Sequence, residues 1–295
     1  MSASSRLFLQ NLRLFVLMVF AGVVLVSCGP TANKPAVQTN PYDRAKDAFK
    51  NGRLDQALDL TDKLVAATPP AESADRARVL RAVIYSGELK STKELAEVYG
   101  KGAENAKNPR FQSEYRRLRQ DNLQAAAQST LNLAETAHQV APDGVIAKAL
   151  TLDASYPTTE GPAEVKDLAR VEQGGWIESD QQEAVAADSL RNGIDDALAD
   201  VVSGDRAKAR QALANGSVNL DGAAFAIFLA KELADGAVIF DRHHSRDPQK
   251  LITVSDEGDE MLKAALASLK DTPNKDEAAE VKKLQDTFKT IRKDK

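Results

Sequence analysis

The stretch Tyr42–Pro69, YDRAKDAFKNGRLDQALDLTDKLVAATP, decides the fold. Ala45, Ala48 and Phe49 fall on one face of a short helix. Asn51-Gly52 stops it, because glycine accepts the left-handed backbone that a helix end needs. Leu54, Ala57, Leu58, Thr61, Leu64 and Val65 then recur at three- and four-residue steps, and Pro69 closes the second helix. Two short helices around a tight stop make a helical hairpin, and this places the chain in the all-α class.

Outward from this hairpin the same periodicity continues. Ala74, Ala77, Leu80, Val83 and Ile84 predict one helix, and Leu95, Val98, Gly102 and Ala106 another, with Gly87 at the break. A long helix is expected over Phe111–Gln139 and a shorter one over Val145–Leu152. Residues 155–180, SYPTTEGPAEVKDLARVEQGGWIESD, are punctuated by Pro157, Gly161, Pro162 and Gly174-Gly175, and form a long connection with about one helical turn. Helices resume at Gln181–Val202, Asp205–Ala214, Gly222–Asp241, Pro248–Leu269 and Asp276–Arg292. Gly222–Asp241 is the most apolar of them and is expected at the centre of the second half. Val281, Leu284, Phe288 and Ile291 give the last helix a stripe for docking on the domain; it is too short for a coiled-coil seam.

The 42–70 hairpin resembles one tetratricopeptide repeat, at Ala45, Phe49, Gly52, Leu54, Ala57 and Pro69. Arg44 and Thr61 depart from the large apolar residues of that pattern, and Pro41 stands at its tryptophan position. The resemblance implies antiparallel hairpins stacked side by side, leaving broad surfaces for an extended partner. Residues 74–106 are repeat-like only, without the signature residues in register.

Composition agrees with helices. Aromatic residues are 5% of the chain, with one tryptophan, so the core must be built mainly from Ala, Leu and Val, which suits closely packed helices. Net charge is −4, and −6 once Arg6 and Arg13 are removed with the leader, which argues against general nucleic-acid binding. The local cluster Lys107, Arg110, Arg116, Arg117 and Arg119 is diluted by Glu114 and Asp121 and reads as a solvated face.

Toward the N-terminus, Gly29–Asn40 is polar, proline-containing and aperiodic, a flexible tether. Before it, Met1–Arg13 is a basic leader, and Leu14–Val26 (LFVLMVFAGVVLV) is an apolar run too short to span a bilayer, which takes about 20 residues. Leu25-Val26-Ser27-Cys28 follows the pattern of a branched apolar residue, a tolerated one, a small one and cysteine. This resembles the lipobox of bacterial lipoproteins. The resemblance implies cleavage between Ser27 and Cys28 and a diacylglycerol on the Cys28 thiol. With Gly29 where an inner-membrane retention signal carries Asp, it further implies an outer-membrane anchor facing the periplasm in a host with two membranes. Cys28 is the only cysteine, so no disulfide competes for it.

Chemistry finds little support. His138 stands alone; His243 and His244 are adjacent, and on a helix neighbouring side chains point about 100° apart, a poor metal pair without partners such as Asp241 and Asp247. There is no nucleophile elbow and no phosphate-cradling loop. No catalytic residue, metal or cofactor is expected. Trp176, with Tyr156, is a candidate ligand-facing aromatic; the alternative for the tryptophan is to plug the connection onto the helical core.

The expected organisation is therefore a signal peptide (1–27), a tether (28–41), a tetratricopeptide-like region (42–154), an irregular connection (155–180) and a C-terminal helical region (181–295). The expected function is that of a lipid-anchored envelope scaffold binding a protein or peptide. The alternative is a transporter-associated small-molecule binder with its pocket near 155–180.

Overall fold

In a computed structural model, residues 40–67, 73–140, 150–154, 165–202, 204–214, 216–242, 247–271 and 273–293 are described. Cys28, Tyr156, His243 and His244 lie outside them. The fold is all-α: helices account for 84% of the described residues, and the remaining regular structure is one pair of three-residue strands. In chain order the elements are α1 (Pro41–Lys50), α2 (Leu54–Val65), α3 (Ala74–Asn105), α4 (Pro109–Val140), β1 (Leu150–Leu152), α5 (Leu168–Glu172), α6 (Ser179–Val202), α7 (Arg206–Leu213), β2 (Val218–Leu220), α8 (Gly222–Arg242), α9 (Pro248–Asp271) and α10 (Lys275–Lys293).

The helix starts follow from local chemistry. Asn40, Asn108, Asp205, Asp221, Asp247 and Asn274 each accept a hydrogen bond on the side chain from a backbone N–H two or three residues on. Such caps satisfy N–H groups that the first turn leaves without partners. Between α1 and α2, Gly52 takes φ +70°, the left-handed turn expected of it. Ala45, Ala48, Phe49 and Ala57 are buried, so the hairpin face read from the sequence is the face that packs.

Helix α3 is the axis of the molecule. It is about 48 Å long at 1.5 Å per residue and packs against α2, α4, α5, α6 and β1. The expectation of a break at Gly87 is corrected: 32 residues run as one helix through it. Gly87 has a different purpose. A Cβ there would lie 2.4 Å from Ile194 Cδ1 and 2.8 Å from Ile194 Cα, and a Cβ on Gly193 would lie 2.2 Å from the Gly87 carbonyl oxygen. The two glycines bring the backbones of α3 and α6 together where they cross. Gly193→Ala is expected to cost about 1–3 kcal/mol, because the obstruction is backbone and the helices must separate. The measurement is a lower urea midpoint at unchanged slope; an unchanged midpoint would show that the crossing is loose.

Helix α4 returns antiparallel to α3, as the pairs Tyr99–Tyr115, Glu88–Ser129 and Arg81–Gln139 show. Both helices have 32 residues, so the chain does not continue in hairpins of the first one's size. The helix expected over Val145–Leu152 is also corrected. Leu150–Leu152 is a strand, antiparallel to β2 in the register Leu150↔Leu220, Thr151↔Asn219, Leu152↔Val218. Leu150 and Leu152 are buried and Thr151 is half-buried between them, the alternation of a strand. Directly after it, the Asp153 carbonyl accepts from Tyr42 Oη at 2.8 Å and its carboxylate pairs with Lys46 at 2.9 Å, holding α1 to the body.

Helix α8 is buried among α4, α9 and α10, and the α10 stripe docks on the domain: Val281, Leu284 and Phe288 are buried, and Ile291 is packed against the same core. One apolar cluster extends from Tyr42 in α1 to Phe288 in α10. A second, separate one sits at the far end of the α3–α4 hairpin.

Candidate functional site

The second cluster is built where α3 ends and α4 begins. Tyr99 and Ala103 come from α3, Ala106 from the cap that follows it, Phe111 and Tyr115 from α4, and Val185 from α6. Residues 165–178 lie over them as a strap. Val171 and Ile177 of the strap are fully buried, and Trp176 is half-buried, its indole stacked on Phe111 with ring centroids 4.9 Å apart and 5.9 Å from the Tyr115 ring. Tyr99 stacks on Tyr115 at 5.8 Å, and burial pushes its hydroxyl up to about 12.

The strap is held in an unusual way: side chains of three helices donate hydrogen bonds to its backbone carbonyls. Asn105 Nδ2 in α3 donates to the Glu172 carbonyl at 2.7 Å, the Tyr115 hydroxyl in α4 to that of Gly175, and Gln182 Nε2 in α6 to that of Ile177 at 3.1 Å. An ion pair between Lys101 and Glu172, 2.8 Å, lies at the solvent edge. The floor is made of small residues. A Cβ on Gly102 would lie 2.7 Å from the Val171 carbonyl oxygen, and one on Gly174 would lie 2.4 Å from the Ala106 backbone nitrogen. Strap and helix end therefore meet backbone to backbone, the approach that glycine permits.

Trp176 is the part of this region that sequence reasoning found. Tyr115, Asn105 and Gln182 were beyond it, since a polar residue inside a helical pattern carries no mark of what it touches. Arg117 pairs with Asp121 at 2.7 Å, which accounts for part of the basic cluster on α4.

A second polar region lies midway along α3. A cleft of about 280 Å³ is lined by Lys90, Ser91, Glu94, Asn192, Gly193, Asp196 and Arg206. Its cations are already engaged. Lys90 Nζ stands 2.6 Å from Glu232 and 2.9 Å from Asp200, and Arg206 Nε stands 2.6 Å from Asp196. Burial alone would lower the Lys90 ammonium; the two acids outweigh it and hold it above the ordinary lysine range. Ser189 ties the rim together, touching Ser91 Oγ and Glu94 Oε2 at 2.9 Å each. These contacts tie α3, α6 and α8 together.

His138 pairs with Glu257 at 3.2 Å between α4 and α9. Among the described residues no group of three or more His, Cys, Asp or Glu is placed to hold a metal ion, and no helix is long and apolar enough to cross a membrane. Compared with protein-family models, curated proteins and solved structures, the chain gave no match to any of the three.

Proposed function

We propose that this protein is a lipid-anchored scaffold of the bacterial cell envelope, tethered through Cys28, that binds a protein or peptide at the far end of its α3–α4 hairpin. The address rests on the basic leader, the 13-residue apolar run Leu14–Val26 and the lipobox-like Leu25-Val26-Ser27-Cys28. Several acyl chains make a stable anchor, since each buried methylene contributes about 0.8 kcal/mol and one chain alone is marginal.

The observation that carries the binding reading is the strap. Three helices already place side-chain donors, apolar pockets and an aromatic wall around an irregular peptide segment. Peptide-recognition sites use the same division of labour, in which main-chain hydrogen bonds give affinity and side-chain pockets give specificity.

The test is photo-crosslinking in intact envelopes from a reactive residue at Arg110, on the rim of the second cluster, and from one at Lys289 on α10. A discrete partner adduct from position 110 that disappears in the Cys28→Ser protein is the expected result. The same adducts from both positions, or none from either, would overturn the reading.

A further inference from the structure

The strap is placed as a ligand is placed, and this concerns regulation of the binding reading just given, on which it rests. Three features separate it from an ordinary loop. Its apolar contacts form a cluster of their own, detached from the main core, so removing it leaves that core closed. Its carbonyls are held by side-chain donors from three different helices, with α5, a single turn of five residues, as its regular element. Its contacts are spread along its length: Val171 against Gly102 and Tyr115, Trp176 on Phe111, Ile177 buried beyond it, and Glu172 paired with Lys101 at the edge.

We infer that residues 165–178 occupy the α3–α4 groove in cis as a displaceable internal ligand, and that the partner segment which replaces them carries the same chemistry. That chemistry is a β-branched residue followed by an acid, a glycine-rich step, then an aromatic and a second β-branched residue, as in Val171-Glu172 and Gly174-Gly175-Trp176-Ile177. The donors Asn105, Tyr115 and Gln182 contact backbone carbonyls, so they serve any sequence that fits; the pockets and Lys101 select among sequences. In the resting protein the strap keeps the aromatic wall covered, and binding exchanges one segment for another with little change in the helices beneath.

Two measurements on the full chain in detergent micelles test this. In the first, hydrogen exchange of the unaltered protein is followed by mass spectrometry. The amides of 165–178 should exchange at least about tenfold faster than those of 95–103 in α3, because the strap opens without the core; exchange of both segments at one common rate would make the strap a permanent part of the core and overturn the inference. In the second, a fluorescent peptide of sequence Val165–Asp180 is added in trans. Gly174→Ala, which sets a Cβ against the Ala106 backbone, should release the strap and raise peptide affinity at least about tenfold over the unaltered chain. The same peptide with Ser at the positions of Trp176 and Ile177 should not bind. Failure of the Gly174→Ala protein to bind the peptide, with its helical content intact by circular dichroism, would also overturn the inference. The crosslinking from position 110 is independent of strap release: an adduct there with no cis displacement leaves the binding reading standing and removes only the internal ligand.

Discussion

Replacing Lys90 with methionine is expected to destabilise the protein by about 3–5 kcal/mol, the usual consequence of stranding a buried charge. Lys90 sits where α3, α6 and α8 meet. Its ammonium serves Glu232, which is 1% exposed, and Asp200 on the cleft side. Methionine keeps most of the stem's packing but leaves the Glu232 carboxylate in the core with no counter-charge. Burial already raises the Glu232 carboxyl, and Lys90 opposes that rise, so without the lysine the acid should hold a proton more readily. The loss should therefore shrink as pH falls. Adding Glu232→Leu to Lys90→Met should recover most of the stability, because a neutral apolar pair of similar volume removes the uncompensated charge. Urea denaturation of the single and double variants at pH 7.5 reads this directly. A loss below about 1 kcal/mol in the single variant would mean that water reaches Glu232 and that the triad is not buried in the sense used here.

Stability should also fall as pH rises from about 4.5 to 7, through Glu88. This residue on α3 faces α4, accepts a hydrogen bond from Ser129 at 3.0 Å, and has the charge of Asp55 nearby. Burial pushes its carboxyl up to about 7 from an ordinary 4.5; the Ser129 bond opposes the rise and Asp55 adds slightly to it. The folded state thus holds a proton that the unfolded chain has already lost. Between the two values folding is coupled to proton uptake, so the Glu88 contribution to stability is greatest below pH 4.5, declines to about pH 7 and levels above it. The full difference is roughly 2–3 kcal/mol, allowing for partial solvent access. Glu88→Gln keeps the shape and a hydrogen-bonding oxygen but removes the titration. The variant should match the parent near pH 4 and exceed it at pH 8. Parallel stability profiles for the two proteins across that range would rule the effect out.

How far the sequence speaks depends on how local the physics is. The α1–α2 hairpin is legible because everything that shapes it lies within 30 residues: the alternation of small and large apolar positions, Gly52 at the turn, and Pro41 at the start. The burial of α8 and the docking stripe of α10 are legible for the same reason. Gly87 misleads, because a glycine that ends a helix and one that lets two helices touch are the same letter. The partner that distinguishes them, Gly193, is 106 positions away, beyond any local pattern. Leu150–Leu152 misleads because three residues carry too little periodicity to separate a strand from a helical turn, and β2 is about 70 residues distant. The buried charges are illegible for another reason. Lys90 and Glu232 look like ordinary solvated helix residues, and only the crossing of three helices makes them a core feature. The strap falls between these cases. Its irregularity is plain from Pro157, Gly161, Pro162 and Gly174-Gly175, and its tryptophan stands out, but that Asn105, Tyr115 and Gln182 hold its carbonyls follows from packing alone.

The tether decides whether the binding reading has a place to operate, and the covalent state of Cys28 tests it most directly. The measurement is mass spectrometry of the N-terminal peptide of the protein recovered from its native envelope. The expected species is a mature chain that begins at Cys28, with a diacylglycerol on the thiol. A chain that keeps residues 1–27, or one that carries a free Cys28 thiol, would contradict it.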